Sequence, residues 1–194
     1  MSPQIDSNLT REEGVRAAPE SGCPEDILLD QEMIDVKYFN FEGNECQGQV
    51  VVNKNVLADI QKVFELIHSI KFPLAKAVPI GDQKYMWNDD ASCEDNNTSA
   101  FNYRVITGGT RLSSHALGYA IDFNPIQNPY SKYDGEGEEM LRIPKDSHYD
   151  INVPGTLHGE HEIVKLLKSL DWKWGGNWEK RNGPVDYQHF EKDI

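Results

Sequence analysis

Cysteine is scarce in this chain: Cys23, Cys46 and Cys93 stand far apart, and no two form a CxxC pair. None is spaced as a metal ligand, and two readings stay open, a Cys46–Cys93 disulfide beside a spare thiol or three reduced thiols. Long apolar runs are missing as well. None approaches the roughly 18 residues needed to cross a bilayer, so no membrane insertion is expected. The first thirty residues lack a charged-then-apolar export leader, so the sequence either follows a removed signal or leaves the cytoplasm by another route. Basic residues are the minority, 19 Lys and Arg against 32 Asp and Glu, for a net charge of −13. Phosphate binding needs clustered cations, so nucleic acid and anionic membranes are not expected partners. Acidic runs such as Glu136-Gly137-Glu138-Glu139 read as solvated surface. No internal repeat is visible.

What is present suits one folded domain. A chain of 194 residues, 38% hydrophobic and 26% charged, can bury a single core and is short for two. Residues 1–30 mix Ser, Pro, Glu and Arg without apolar periodicity and read as an arm or linker, leaving 31–194 as the domain. The β-branched run Val50-Val51-Val52 predicts a strand. Asn53 or Asn55 can then cap a helix over 55–71, whose apolar stripe is Val56, Ile60, Val63, Phe64, Ile67 and Ile70. His68, beside that stripe, reads as a packing residue.

Residues 82–99, rich in Asn, Asp and Ser, read as a loop, and 100–106 as a strand carrying Arg104. Alternation over 119–124 turns Tyr119, Ile121 and Phe123 to the core and Asp122 to the other face. A long polar connection is expected over 125–156. A second amphipathic helix then starts at Thr156 or Gly159, with Ile163, Val164, Leu167 and Leu170 buried. Val185 to Lys192 reads as a final strand. The pattern predicts an α+β fold with a small antiparallel sheet and two main helices.

The chemistry concentrates in two segments, Ser113-Ser114-His115-Ala116-Leu117-Gly118-Tyr119-Ala120-Ile121-Asp122 and Asp186-Tyr187-Gln188-His189. His115, Asp122 and His189 can hold one zinc ion and leave a fourth position open. Asp186, three residues before His189, is then free to act as a base. His115 and Asp122 are an odd spacing apart, which on one strand would send them to opposite faces. Gly118 removes that objection by allowing a turn or bulge. Ser113 and Glu191 are candidates to support the imidazoles, Glu191 lying on the same strand face as His189. Strict alternation would separate Asp186 from His189, so a bend near Pro184 or at the strand entrance is required.

These residues resemble the zinc D-alanyl-D-alanine carboxypeptidase and L-alanyl-D-glutamate endopeptidase family of peptidoglycan peptidases, whose fold the Hedgehog signalling domain also resembles. The likeness runs from about Val36 to Glu191. It includes Gly48-Gln49-Val50-Val51-Val52-Asn53, Asn97-Thr98-Ser99-Ala100-Phe101-Asn102-Tyr103-Arg104, Asp122-Phe123-Asn124-Pro125-Ile126-Gln127-Asn128-Pro129-Tyr130, the Trp174-Gly175-Gly176-Asn177-Trp178 segment and Asp186 to Glu191. The resemblance implies one zinc on His115, Asp122 and His189, Asp186 as general base, and Arg104 as the group that polarises the scissile carbonyl and stabilises the oxyanion. Trp174 is a candidate for the supporting or substrate-binding shell.

The implied activity is hydrolysis of cell-wall stem peptides by a monomer outside the cytoplasm, either periplasmic, extracellular or delivered by a phage or secretion system. Cleavage between L-Ala and D-Glu is the first reading and removal of terminal D-Ala the second. A zinc-containing binding or signalling module without catalysis is a third, disfavoured because Arg104 and Asp186 are both present. Elsewhere, His161-Glu162-Ile163-Val164-Lys165 lacks the second histidine of HExxH, and the His158/His161 pair reads as a polar helix start. His148 has no spaced partner, and Arg111 reads as surface.

Overall fold

The computed structural model describes residues 2–106, 109–178 and 183–193. Met1 of the expected arm lies outside them. Strands β2 (Gln31–Phe39) and β3 (Glu45–Asn53) form a long antiparallel pair, in register from Gln31↔Asn53 to Phe39↔Glu45. Asn40 closes the turn between them, its Oδ1 accepting from the amides of Glu42 and Asn44. Asn53 ends β3 and caps a single 3₁₀ turn, Lys54–Val56, which opens into helix α3 (Leu57–Ser69). The expected helix is therefore shorter at both ends. Ile60, Val63, Phe64 and Ile67 are its buried face, laid against β2 and helix α5 (Glu162–Ser169). His161, through Nδ1, caps α5, which starts later than Thr156 or Gly159. His68 stacks on Phe39 and pairs with Glu45, as a packing residue would.

The architecture is a mixed α+β fold of small sheets and few helices. One sheet is β1 (Gln4–Ile5), β3 and β2, with β1 parallel to β3. A second is the parallel pair β4 (Lys76–Ala77) and β5 (Asn97–Thr98). The third, which carries the site, is wholly antiparallel: β6 (Ala120–Asp122), β11 (His189–Lys192) and β9 (Trp172–Trp174). The fourth joins β10 (Pro184–Asp186) to the hairpin β7 (Tyr130–Tyr133) and β8 (Glu139–Ile143). The single antiparallel sheet read from the sequence is one of these four.

Three segments depart from expectation for identifiable reasons. Within 82–99 lies helix α4 (Asp89–Glu94). Its Asn and Asp residues are cap and first turn, not loop filler: Asn88 Oδ1 accepts from Ala91 N, and Asp89 and Asp90 sit where the helix dipole favours negative charge. Residues 100–106 are not a strand. They cross the body by single links, Phe101 N to Val51 O and Asn102 N to His115 O, with a lone Val105↔Leu112 bridge. The final strand is two, because Tyr187 and Gln188 bend the chain between β10 and β11.

The N-terminal segment lies along this body. Besides β1 it holds two short helices, α1 (Arg11–Gly14) and α2 (Glu25–Leu29). Val15 is buried with Val51 and Phe101, and Cys23, Ile27 and Leu28 pack against them. Cys23, Cys46 and Cys93 are all free, so the reduced-thiol reading applies.

Candidate active site

His189 and Asp122 are direct partners across the β11–β6 ladder, and residues opposite one another share a face. His115 comes from the 3₁₀ turn Ser114–Leu117, which Gly118 closes in the left-handed region at φ 73°. A Cβ at Gly118 would overlap Gln31 Oε1 and the Asn53 amide, and Asn53 N donates to the Gly118 carbonyl at 2.9 Å. The turn is thus seated on the ends of β2 and β3, which swings His115 toward β6.

The three side chains converge. His115 Nε2 lies 3.2 Å from His189 Nδ1 and 3.2 Å from Asp122 Oδ2, and His189 Nδ1 lies 3.0 Å from Asp122 Oδ1. Two donor atoms on a tetrahedral zinc with bonds of about 2.0–2.1 Å are about 3.3 Å apart, so the spacing suits that ion. The tautomers suit it as well. His115 Nδ1–H donates to the Ala100 carbonyl at 2.5 Å, which leaves Nε2 with its lone pair. His189 Nε2 faces Glu191 Oε2 at 3.5 Å, at the long end of hydrogen bonding, which frees Nδ1. All three residues are buried, and they form a group able to hold a metal ion. Burial alone would favour an uncharged His189, yet its hydrogen bonds to Asp122 and Glu191 push its pKa up to about 10. Such a site is built to hold positive charge.

This triad lines a cavity of about 620 Å³ together with Arg104, Asp186, Asp89 and Gln188. Asp186 reaches it through the Tyr187–Gln188 bend, at the entrance of the strand that bears His189 and not near Pro184. Gly175 makes room, since a Cβ there would meet Asp186 O at 2.5 Å and its Cβ at 2.9 Å. Asp186 Oδ1 is inaccessible and without a protein partner. Burial raises the carboxyl, with help from Asp122 and against His189, Gln188 and Arg104, to about 7. Arg104 pairs with Asp89 at 2.8 Å, and its buried Nε has no protein acceptor.

Two expectations are corrected. Ser113 does not touch an imidazole: its Oγ accepts from His115 N at 3.3 Å and caps the turn. Its neighbour Ser114 instead donates to Glu191, which ties the turn to β11. Trp174 is core, stacked with Phe190 and donating Nε1–H to the Tyr187 carbonyl at 2.9 Å. Trp178, at the other end of the same motif, lines the cavity with its ring 5.6 Å from that of His189. Glu191 is where the sequence puts it, and the same contacts hold its carboxyl low, at about 2. Asp89, Ser114, Trp178 and Gln188 were missed. Ser114 and Gln188 stand within the two motif segments and Trp178 within the Trp-Gly-Gly-Asn-Trp run, while Asp89 carries no signal. His158 and His161 meet edge to face, and His161 is also edge-on to Phe72, away from the cavity. Arg111, read as surface, is exposed yet lines the cavity.

Two buried imidazoles and a carboxylate able to hold a metal ion thus share one cavity with a carboxyl and a guanidinium. Residues 107–192 match the family model described as D-alanyl-D-alanine carboxypeptidase. The match spans a little under half of the chain and contains His115, Asp122, Asp186 and His189, while Arg104 lies just before it. It supports a peptidase of that kind without choosing a subtype. No curated protein and no solved structure matches the chain. Among the described residues, no helix is long and apolar enough to cross a membrane.

Proposed function

We propose that this protein is a zinc-dependent peptidoglycan peptidase acting on cell-wall stem peptides outside the cytoplasm, as a monomer. The observation that carries the reading is the convergence of His115, Asp122 and His189 beside Asp186 and Arg104 in one cavity, within and next to the matched segment. Cleavage between L-Ala and D-Glu is the first assignment, on the residues the chain shares with that branch. Removal of terminal D-Ala is the second, favoured by the description of the matching family.

His115, Asp122 and His189 would hold the zinc, which when bound supplies Lewis acidity toward a carbonyl and toward water. Asp186 accepts the proton of the attacking water, for which a half-buried carboxyl raised to about 7 is suited, and returns it to the leaving amine. Arg104 directs its unpaired Nε–H toward the oxygen on which negative charge develops. Trp178 and Tyr130 line the cavity that the substrate would enter.

Incubating the zinc-loaded protein with a purified disaccharide pentapeptide and weighing the fragments tests this directly, because that probe contains both bonds. Loss of the L-Ala-linked disaccharide supports the endopeptidase, and loss of one D-Ala the carboxypeptidase. An intact probe with one zinc per chain supports the non-catalytic module. A strong chelator should remove the metal together with activity, and His115→Ala or His189→Ala should abolish metal binding. Full zinc occupancy in His189→Ala would take that residue out of the ligand set.

A further inference from the structure

We propose that Asp89 is the positioning residue of Arg104, setting the direction of the guanidinium in the cavity; this rests on the reading of Arg104 as the oxyanion donor. Arginine is long and has many rotamers, so a guanidinium that must meet one oxygen needs a fixed second contact. Asp89 supplies it. Its Oδ2 accepts from Arg104 Nη2 at 2.8 Å, while its Oδ1 accepts from Asn102 Nδ2 at 3.1 Å. Asn102 is buried, and its own amide donates to the carbonyl of His115 at 3.1 Å. A continuous bracket therefore runs from the turn bearing His115, through Asn102 and Asp89, to Arg104.

The rest of the guanidinium agrees with this division of labour. Nη1 donates to the Val105 carbonyl at 3.2 Å, and the Arg104 carbonyl accepts from Ser113 N at 3.1 Å, which pins the backbone. Nε alone lacks an acceptor. Asp89 thus holds the guanidinium at Nη2, and Nε is the nitrogen left without an acceptor. Asp89 is held in turn by its place in the first turn of α4, behind the Asn88 cap. The other cations lining the cavity do not share the arrangement: Lys173 pairs with Asp193 and Arg111 is exposed.

The test is a double-mutant cycle on the zinc-loaded full chain with the disaccharide pentapeptide as probe. Asp89→Asn should lower kcat roughly tenfold or more with KM within about twofold of wild type, since a misdirected donor is felt in the transition state. Zinc content and Tm should stay put, and Asp89→Glu should recover part of the loss. In an Arg104→Ala background, Asp89→Asn should cost nothing further. Equal losses in both backgrounds, or native turnover in Asp89→Asn while Arg104→Ala is crippled, would overturn the proposal. Native turnover in Arg104→Ala would instead sink the oxyanion reading itself, and Asp89 with it. If Asp89→Asn lowers Tm, Asp89→Ser, which suits a helix first turn, replaces it in the cycle with the same two outcomes.

Discussion

Asp186 is the residue on which an enzyme and a zinc-holding relic part company. Its carboxyl is lifted to about 7 by burial, with Asp122 adding to the effect and His189, Gln188 and Arg104 opposing it. A base must be deprotonated to work, so turnover should rise with pH through the carboxyl's pKa and fall on acidification; a bound cation moves that limb to lower pH. Asp186→Asn keeps the shape and cannot take the proton. Its turnover should drop roughly 10²-fold or more while zinc content and Tm stay near wild type, and the acidic limb of the pH–rate profile should vanish. Native turnover in that variant would remove Asp186 from the role and leave Glu191, already engaged by Ser114 and His189, as the next carboxyl to test. For Arg104→Ala the expectation is a loss of roughly 10²-fold with zinc retained, and a change confined to KM would make it a docking residue.

At the scale of elements, the parts readable from the sequence were those governed by local rules. The stripe Ile60, Val63, Phe64 and Ile67 followed helical period, and the role of Gly118 followed from an odd spacing that a turn or a bulge could reconcile, of which the structure has the turn. The parts that escaped depend on partners far along the chain. Nothing local distinguishes Trp174 in the core from Trp178 at the cavity, or shows that Asp89, in the first turn of α4, faces Arg104, 15 residues on and beyond β5. Gly118→Ala sets a side chain against Gln31 and the Asn53 amide in a left-handed conformation, so it should cost more than about 2 kcal/mol and reduce zinc uptake together with folded yield. Helix α4 offers a pH test. Its C-cap Asp95 is raised by burial, but hydrogen bonds from Lys76, Lys84 and Tyr85 prevail and hold it at about 2. A depressed carboxyl stabilises the fold above its unfolded pKa, and that stability is lost as pH falls through the folded one. Asp95→Asn should therefore lower stability by roughly 1–2 kcal/mol at neutral pH, after allowance for solvent at the exposed lysine, with the difference from wild type closing between about pH 4 and pH 2. A deficit that stayed constant across that range in denaturant titrations would contradict the assignment.

Across the whole molecule, the long connection after Asp122 is a structured wall. Tyr130 and Ile143, at the base of the β7–β8 hairpin, line the cavity, while the acidic tip around Glu136 is exposed. Trimming the tip at residues 134–138 should leave turnover unchanged, whereas Tyr130→Ala should alter the ratio of products from a muropeptide mixture. Identical digests from Tyr130→Ala and wild type would make the hairpin a spectator.

The pairing of His189 with Asp122 also has a consequence in time. These donors stand 67 residues apart in the chain, and His115 and His189 stand 74 apart. No fragment that ends before β11 contains the complete donor set, and a growing polypeptide cannot assemble it until its last strand zips onto β6. Capture of a metal by the full set would therefore report that the longest-range contacts of the fold have closed, and the ion would act as a lock on the finished topology instead of a seed for it.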